Sequence, residues 1–364
     1  MKKKTNYVSC ETLKKIHSRY IILIGQRANG KSFSVKEYVI KNGLKGEQFG
    51  YIRRYKEECK GYMFESYFAD ILCDDEGVNH LEKWSEGKYN TIVVYRSGVY
   101  FGNITEDGKI ERGEQFGYMF GLSWATHYKS LSFPNITTLV YEEFITDGLF
   151  LPNEVRVFMN LVSTIFRTRK GRVFMVGNTL SRINPYFREW QLKGIAKQKE
   201  NSIELYNYKY KDEDKKEHTE SIAVYMTPSL NNNSGMFFGN NAKTITSTTW
   251  ETDEFPHLEK NIDDYEIVYN MVVEYDDNKF LLQLLKDVSS YVWFCSPKTS
   301  EIQKNTRVIS NQFYMSPYAT MSFKPLTENE SLIFSWLKDD RIVYSDNLCG
   351  TEFKQCYKML RVFR

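Results

Sequence analysis

The sequence predicts an α/β protein, in which a mostly parallel sheet flanked by helices is followed by a smaller α+β domain. Three observations predict it. Apolar runs of strand length alternate with amphipathic stretches over roughly the first 200 residues, the pattern of strands joined by crossover helices. The run Tyr20-Ile21-Ile22-Leu23-Ile24 enters a glycine-containing bend that opens onto an amphipathic stretch beginning at Phe33, a strand–loop–helix unit. Composition shifts near residue 198, and from 261 onward the pattern becomes paired strands followed by helices.

The elements follow in order. Phe33, Val35, Tyr38 and Val39 share one face of the first helix, and Gln48-Phe49-Gly50-Tyr51-Ile52 reads as a second strand ending in Arg53-Arg54. Residues 91–124 interrupt the alternation: Thr91–Tyr95, a turn at Ser97-Gly98 and Val99–Phe101 predict a hairpin, and Asp107-Gly108 marks a further turn. We read this as a β insertion at the sheet edge. Ile136–Tyr141 is a β-rich run ending in Glu142-Glu143, and Pro152 opens a helix that runs to Phe166, with proline near its start as helices favour. Arg172–Val176 reads as a buried strand stopping at Gly177-Asn178. Residues 198–260 read as a connecting segment with little core, because 209–220 is a dense run of mixed charge and Asn231–Gly235 and Gly239–Asn241 are turn-rich. Such a charge run is ordinarily a solvated face. Beyond it, Glu266–Tyr275 and Phe280–Leu285 form a hairpin, Tyr291–Cys295 a further strand, and Glu330–Leu337 and Glu352–Leu360 helices. The predicted division is 1–197, 198–260 and 261–364.

Composition narrows the class. Among 364 residues, 41% are hydrophobic and 26% charged, as in soluble globular proteins. The aromatic share is 15%, mostly from 26 Tyr and 24 Phe, so aromatic-rich cores are expected. No apolar run reaches membrane-spanning length, and no apolar segment follows the basic start Met1-Lys2-Lys3-Lys4, which argues against a span and a secretory signal. The six cysteines are scattered without a C-x-x-C pair and read as reduced thiols of a cytosolic protein. The five histidines lack ligand spacing. A net charge of +3 does not by itself mark a nucleic-acid binder, so any grip on DNA needs local patches or a ring of subunits.

The chemistry concentrates in Gly25-Gln26-Arg27-Ala28-Asn29-Gly30-Lys31-Ser32, which spells G-x-x-x-x-G-K-S between a strand and a helix. In that context the loop and helix N–H groups cradle nucleotide phosphates, Lys31 reaches the β- and γ-phosphates, and Ser32 holds Mg²⁺. Such a loop needs a carboxylate on another strand. Glu142 would bind Mg²⁺ through water and Glu143 would polarise the attacking water as general base; alone, the pair could equally be an acidic turn. Asn178, ending the next strand, could sense the γ-phosphate or simply cap a turn. Arg167 and Arg169 could stabilise transition-state charge in a neighbouring subunit or make surface salt bridges, and Lys129 is a further cation for that role. Arg53 and Arg54 could contact phosphate or form a salt bridge.

From about residue 20 to 190 the chain resembles the DNA-packaging ATPases of small protein-primed podophages, the Picovirinae type. The matching strings are Gly25–Ser32, Gly46-Glu47-Gln48-Phe49 followed by Tyr51–Lys56, Pro134–Thr137, Glu143-Phe144-Ile145, Leu151–Val155, Phe166–Arg169 and Asn184–Phe187. The resemblance implies an ASCE-type ATPase that uses ATP and Mg²⁺ and assembles as a homomeric ring, a pentamer, at the portal vertex of a prohead in the host cytoplasm. It implies that hydrolysis drives double-stranded DNA into the capsid. By similarity Lys31 and Ser32 bind nucleotide and metal, Glu143 is the catalytic glutamate, Arg167 acts in trans and Lys129 is a second basic candidate; Glu142 stands where the family has Asp. The last third, which matches only loosely, would be a vestigial RNase H-like domain retained for binding DNA, portal or packaging RNA. Rival readings are a headful-type terminase with an active C-terminal nuclease, a pure docking module in the C-terminal portion, and a nucleotide switch.

Overall fold

The computed structural model describes residues 7–146, 148–211, 217–229, 250, 253–288, 290–303, 305–321, 323–339 and 341–362. The chain divides into two compact units, the first holding most of residues 1–249 and the second most of 250–364, with Leu180–Ile183 grouped in the second.

The first unit is built on nine strands: β1 (Tyr20–Gly25), β2 (Gln48–Arg53), β3 (Thr91–Tyr95), β4 (Gly98–Ile104), β5 (Ile110–Gly121), β6 (Ile136–Glu142), β7 (Arg172–Asn178), β8 (Ser202–Lys211) and β9 (Glu217–Met226). Their order in the sheet is β3-β4-β5-β2-β6-β7-β1-β9-β8. From β5 to β9 every neighbouring pair is parallel, and the outer pairs β3–β4, β4–β5 and β8–β9 are antiparallel. All six residues of β1 are buried, as a central parallel strand covered on both faces requires. Helix α1 (Lys31–Gly43) follows β1, and α2 (Glu154–Phe166) follows β6. The core is aromatic: Phe101 stacks on Phe116 at 3.9 Å, and Phe49, Phe64 and Phe68 continue the cluster. One strand, β7, separates the loop strand β1 from the carboxylate strand β6, the additional-strand order of ASCE sheets.

Two expectations change. The hairpin at 91–104 does lie at the sheet edge, but the second half of β5 joins it to the main sheet, pairing with β4 on one side and in parallel with β2 on the other, Phe49 opposite Gly117. The segment 198–260 is not a connector throughout. Its residues 202–226 form β8 and β9, and β9 lies beside β1 with Ile222–Met226 buried. The apolar half of β9 follows the charge run directly, and that run hides a strand whose outer half is solvated. Residues 212–216 of the run and the turn-rich stretches Asn231–Gly235 and Gly239–Asn241 lie outside the described residues.

The second unit carries a six-stranded sheet. β10 (Glu266–Tyr275), β11 (Asn278–Lys286) and β12 (Tyr291–Pro297) form an antiparallel meander. β13 (Arg307–Ser310) adds in parallel to β10 and β14 (Ala319–Thr320) to β13, while β15 (Val343–Tyr344) adds in parallel to β12. Helix α3 (Glu328–Lys338) starts at the cap Thr327, whose hydroxyl accepts from the Glu330 N–H. The last helix, α4 (Asn347–Val362), is longer than expected and packs Phe353 against Phe280 at 5.5 Å. All six cysteines are free thiols. No described helix is long and apolar enough to cross a membrane.

Candidate functional site: a phosphate loop facing a carboxylate strand

β1 delivers Gly25 to the C-terminal end of the sheet, where the chain must bend sharply into α1. Ala28 (φ 59°) and Gly30 (φ 85°) take left-handed backbone to do so, a conformation that costs glycine little. Gly30 is the N-cap of α1 and no side chain caps that helix, so its first N–H groups point at the loop's concavity, the arrangement that attracts anions. Lys31, only 4% exposed, donates to the Gly25 carbonyl (2.9 Å), the Gln26 carbonyl and Asn29 Oδ1 (3.1 Å). The loop is braced from β9. Asn29 Nδ2 donates to Thr227 Oγ1 (2.6 Å) and the Pro228 carbonyl (3.2 Å), and the Thr227 hydroxyl donates to the Ile24 carbonyl (3.0 Å). A methyl group on Gly25 would sit 2.0 Å from Thr227 Oγ1. From the other side, the Val8 N–H donates to the Asn29 carbonyl (3.2 Å).

The carboxylates arrive on β6. Ser32 Oγ donates to Glu142 Oε2 (3.2 Å), and Tyr67 OH to Glu142 Oε1 (2.9 Å). Burial pushes the Glu142 carboxyl above its ordinary value, against the Tyr67 hydrogen bond, the Lys36 charge, the Ser32 hydrogen bond and the Arg53 charge, which pull it down. Lys36 itself pairs with Asp70 at 2.8 Å. Glu143 leaves the strand with φ 55°, and this reversal turns its exposed side chain onto Arg53 Nη2 at 2.7 Å. The Arg53 guanidinium also holds Glu58 (2.8 Å). Arg54 fixes the backbone beyond: it pairs with the buried Glu154 (2.7 Å) and donates to the Phe144 carbonyl (2.9 Å). Tyr141 and Tyr186 donate to the same Glu154 oxygen, at 2.8 and 3.1 Å. Both arginines thus form salt bridges within the unit, the second of the two readings open to them in the sequence.

Asn178 ends β7 in register with Gly25. It lines, with Arg27–Phe33, Glu142 and Glu143, a cleft of about 840 Å³. Tyr7, Asp74 and His80 lie in its walls. His80, one of the histidines without ligand spacing, binds Asp74 at 2.8 Å.

The remaining basic candidates are not in this cleft. Arg167 closes α2 with φ 52° and its exposed side chain donates to the Leu131 carbonyl (3.4 Å). It stands between α2 and the start of β7, at the end of the strands opposite the phosphate loop. Lys129, exposed, precedes β6 at the same end. Arg169 is engaged by backbone: it donates to the carbonyls of Phe133 (2.8 Å), Ile136 (3.1 Å), Pro134 and Ile165. Sequence reasoning missed Thr227, Tyr67 and Glu154. A faint signal existed for Thr227, which follows an apolar run as Gly25 does, and for Glu154, which sits in the string Leu151–Val155; Tyr67 carried none.

The Mg²⁺ donors can be tested against this geometry. A hydroxyl and a buried carboxylate, both oxygen ligands, meet beside the loop, the donor type that hard cation favours.

The family described as Podovirus DNA encapsidation protein (Gp16) matches residues 1–90 and 108–218, more than half of the chain. The chain is 38% identical over 170 residues to the DNA packaging protein of Bacillus phage B103, covering 45% of this chain and 46% of that protein. It is 35% identical over 170 residues to the DNA packaging protein of Bacillus phage phi29, covering 45% and 44%. These matches span just under half the length of the curated relatives. A chain of the bacteriophage Phi-29 viral genome packaging motor assembly has the same fold, with a TM-score of 0.54 at 21% identity over 99% of this chain and 100% of that one. The matched residues contain the loop and the carboxylate strand, and on that footing the chain belongs to the podovirus DNA encapsidation protein family.

Proposed function

We propose that this chain is the ATP-hydrolysing subunit of a viral packaging motor. In this reading a homomeric ring, a pentamer, sits at the portal vertex of a prohead in the host cytoplasm and moves double-stranded DNA inward. The observation that carries the reading is the 3.2 Å contact between Ser32 of the phosphate loop and Glu142 of the carboxylate strand. It joins the two halves that phosphoryl transfer needs, a phosphate cradle and a metal-ordering carboxylate. The relatives' description as DNA packaging proteins supports the physiological role.

Each residue then has a task. Gly25–Ser32 and the N-terminus of α1 hold the triphosphate. Lys31 exchanges its loop carbonyls for phosphate oxygens. Ser32 and Glu142 would hold Mg²⁺, which neutralises charge developing on the phosphates. Glu143 takes the proton of the attacking water, for which its carboxylate must turn from Arg53. Asn178, beside Gly25 in the sheet, is placed to hydrogen-bond the γ-phosphate or the water. Arg167, at the opposite end of the strands, cannot serve its own cleft and is suited to a neighbour's, with Lys129 as a second cation there.

In the C-terminal unit three antiparallel strands carry two parallel strands beside the first and one beside the third, an order that supports the RNase H-like reading. Glu274 of β10 accepts from Ser310 Oγ (2.9 Å) and Tyr314 OH (2.6 Å) and pairs with Lys279 (3.3 Å). Ser310 ends β13, beside β10. A carboxylate so occupied favours a vestigial domain that binds DNA, portal or packaging RNA over the headful-type nuclease.

The test is phosphate release by the full chain, with and without double-stranded DNA. Lys31→Ala abolishes turnover and nucleotide binding. Arg167→Ala subunits, mixed into wild type, depress turnover beyond their own share; a loss merely proportional to their fraction excludes the trans role. Turnover indifferent to DNA would leave a nucleotide switch instead of a motor.

A further inference from the structure

We propose that the outer face of the β3–β4–β5 extension is a docking surface for an unpaired polynucleotide strand. Register places Val93 and Tyr95 of β3, Tyr100 of β4 and Arg112 of β5 on one face. The opposite face, with Ile92, Val99, Phe101 and Phe116, is buried in the core, so the outer face is held rigidly. On it the Arg112 guanidinium lies between two rings, 4.6 Å from the Tyr95 centroid and 4.9 Å from that of Tyr100. The guanidinium of Arg96, in the β3–β4 turn, lies 5.4 Å from the Tyr95 ring centroid. Gly102, opposite Arg112, contributes no side chain to obstruct it.

Three features point to the occupant. Among the described residues neither Arg96 nor Arg112 has a carboxylate or carbonyl partner, although Glu111 and Glu114 are on the same strand; Glu114 pairs with Lys88 at 3.2 Å. Two guanidiniums resting beside tyrosine rings, with no acceptor of their own among the described residues, match phosphate oxygens. Tyr95 is 48% exposed, and tyrosine interleaved with arginine forms a platform on which bases stack. A duplex keeps its bases stacked within and would use only the charges. Residues 91–107, which hold Tyr95, Arg96 and Tyr100, fall in the gap of the family match, and Arg112 lies within the matched residues.

The experiment measures fluorescence anisotropy of the full chain with a short labelled oligo(A) RNA, the same sequence in single-stranded DNA, and a duplex DNA, across a salt series. Arg112→Ala should weaken binding of the single strands about tenfold, the scale of one lost base stack, and flatten the salt slope by about 0.7. Arg112→Lys should restore the slope but not the affinity. Arg96→Asn, which tolerates the left-handed φ of 54° at that turn, should give a smaller loss in the same direction, and it guards against misfolding of the Arg112 variants. ATP turnover without nucleic acid should be unchanged. A loss confined to RNA or to DNA supports the proposal and identifies the sugar that is read. Single-strand binding within twofold of wild type in both Arg112→Ala and Arg96→Asn overturns it. So does an equal loss on duplex, which would make the face a backbone contact, or a loss of self-association alone, which would make it a protein contact.

Discussion

Two pairs of acidic residues stand at strand ends in this molecule and are used differently. Glu142 and Glu143 close β6 at the rim of a cleft, whereas Glu274 and Asp276 close β10 within their own unit. Glu142 and Glu274 are both buried, at 6% and 1% exposure. Glu142 is approached by the hydroxyls of Ser32 and Tyr67, and one of those belongs to the phosphate loop. Glu143 has one arginine partner and an exposed side chain. Glu274 is enclosed by Ser310, Tyr314 and Lys279, and Asp276 takes the Asn311 amide on Oδ1 at 2.5 Å while its own N–H donates back to Asn311 Oδ1 at 2.8 Å. A buried carboxylate suits chemistry where it lines a cleft and one of its partners belongs to the loop it faces. Otherwise it ties strands together.

The contrast can be broken at four points. The largest effect is expected at Glu143. Glu143→Gln should lower ATP turnover by about 10²–10⁴-fold, the usual worth of a general base, with nucleotide affinity retained; single-turnover phosphate release beside a binding titration reads both. Next is Glu154→Ala, which strands Arg54 in the core. Removing one member of a buried ion pair costs about 3–5 kcal/mol, so urea unfolding should shift strongly and turnover should fall as the Phe144 backbone loosens. Third, Glu274→Ala leaves buried hydroxyls without their acceptor, at a cost of about 1–3 kcal/mol. Thermal unfolding should register that loss while turnover stays at the wild-type level; a variant that abolished Mn²⁺-dependent plasmid nicking would instead place Glu274 with the chemically active carboxylates. The smallest effect concerns pH. The folded state raises the Glu142 carboxyl, so it binds this proton more tightly than the unfolded chain, and stability falls as pH rises through and above the ordinary carboxyl value of 4.5. Without Mg²⁺, Glu142→Gln should therefore melt above wild type at neutral pH, with the gap closing below pH 4.5. Each 1 kcal/mol moves the midpoint of a domain of this size by about 2–4 °C.

The legible parts of the molecule were those written in consecutive residues. Gly25–Ser32 and Glu142-Glu143 announce themselves because each combines an apolar strand with the polar group that ends it, and β1, β2, β6 and β7 follow from the same runs. What pairing at a distance decides was hidden. Tyr67 reaches Glu142 from a helical turn that has no motif of its own, and Arg54 finds Glu154 only after β2 and β6 have been placed side by side. The strand β9 was missed because its first half, from Glu217, is polar and joins the charge run, although Ile222–Met226 reads as a buried core strand. Spacing likewise left Arg167 and Arg169 equivalent, and only the family resemblance favoured Arg167. Geometry separates them, because Arg169 spends its donors on four carbonyls and Arg167 does not.

The Thr227 hydroxyl occupies the volume that any side chain at Gly25 would claim. The first glycine of the phosphate loop and a threonine far downstream are therefore a single steric choice made twice. Gly25→Ala should be tolerated only together with a smaller residue at 227, and an exchange that swaps the β8–β9 hairpin between homologues will carry or break the nucleotide seat along with it.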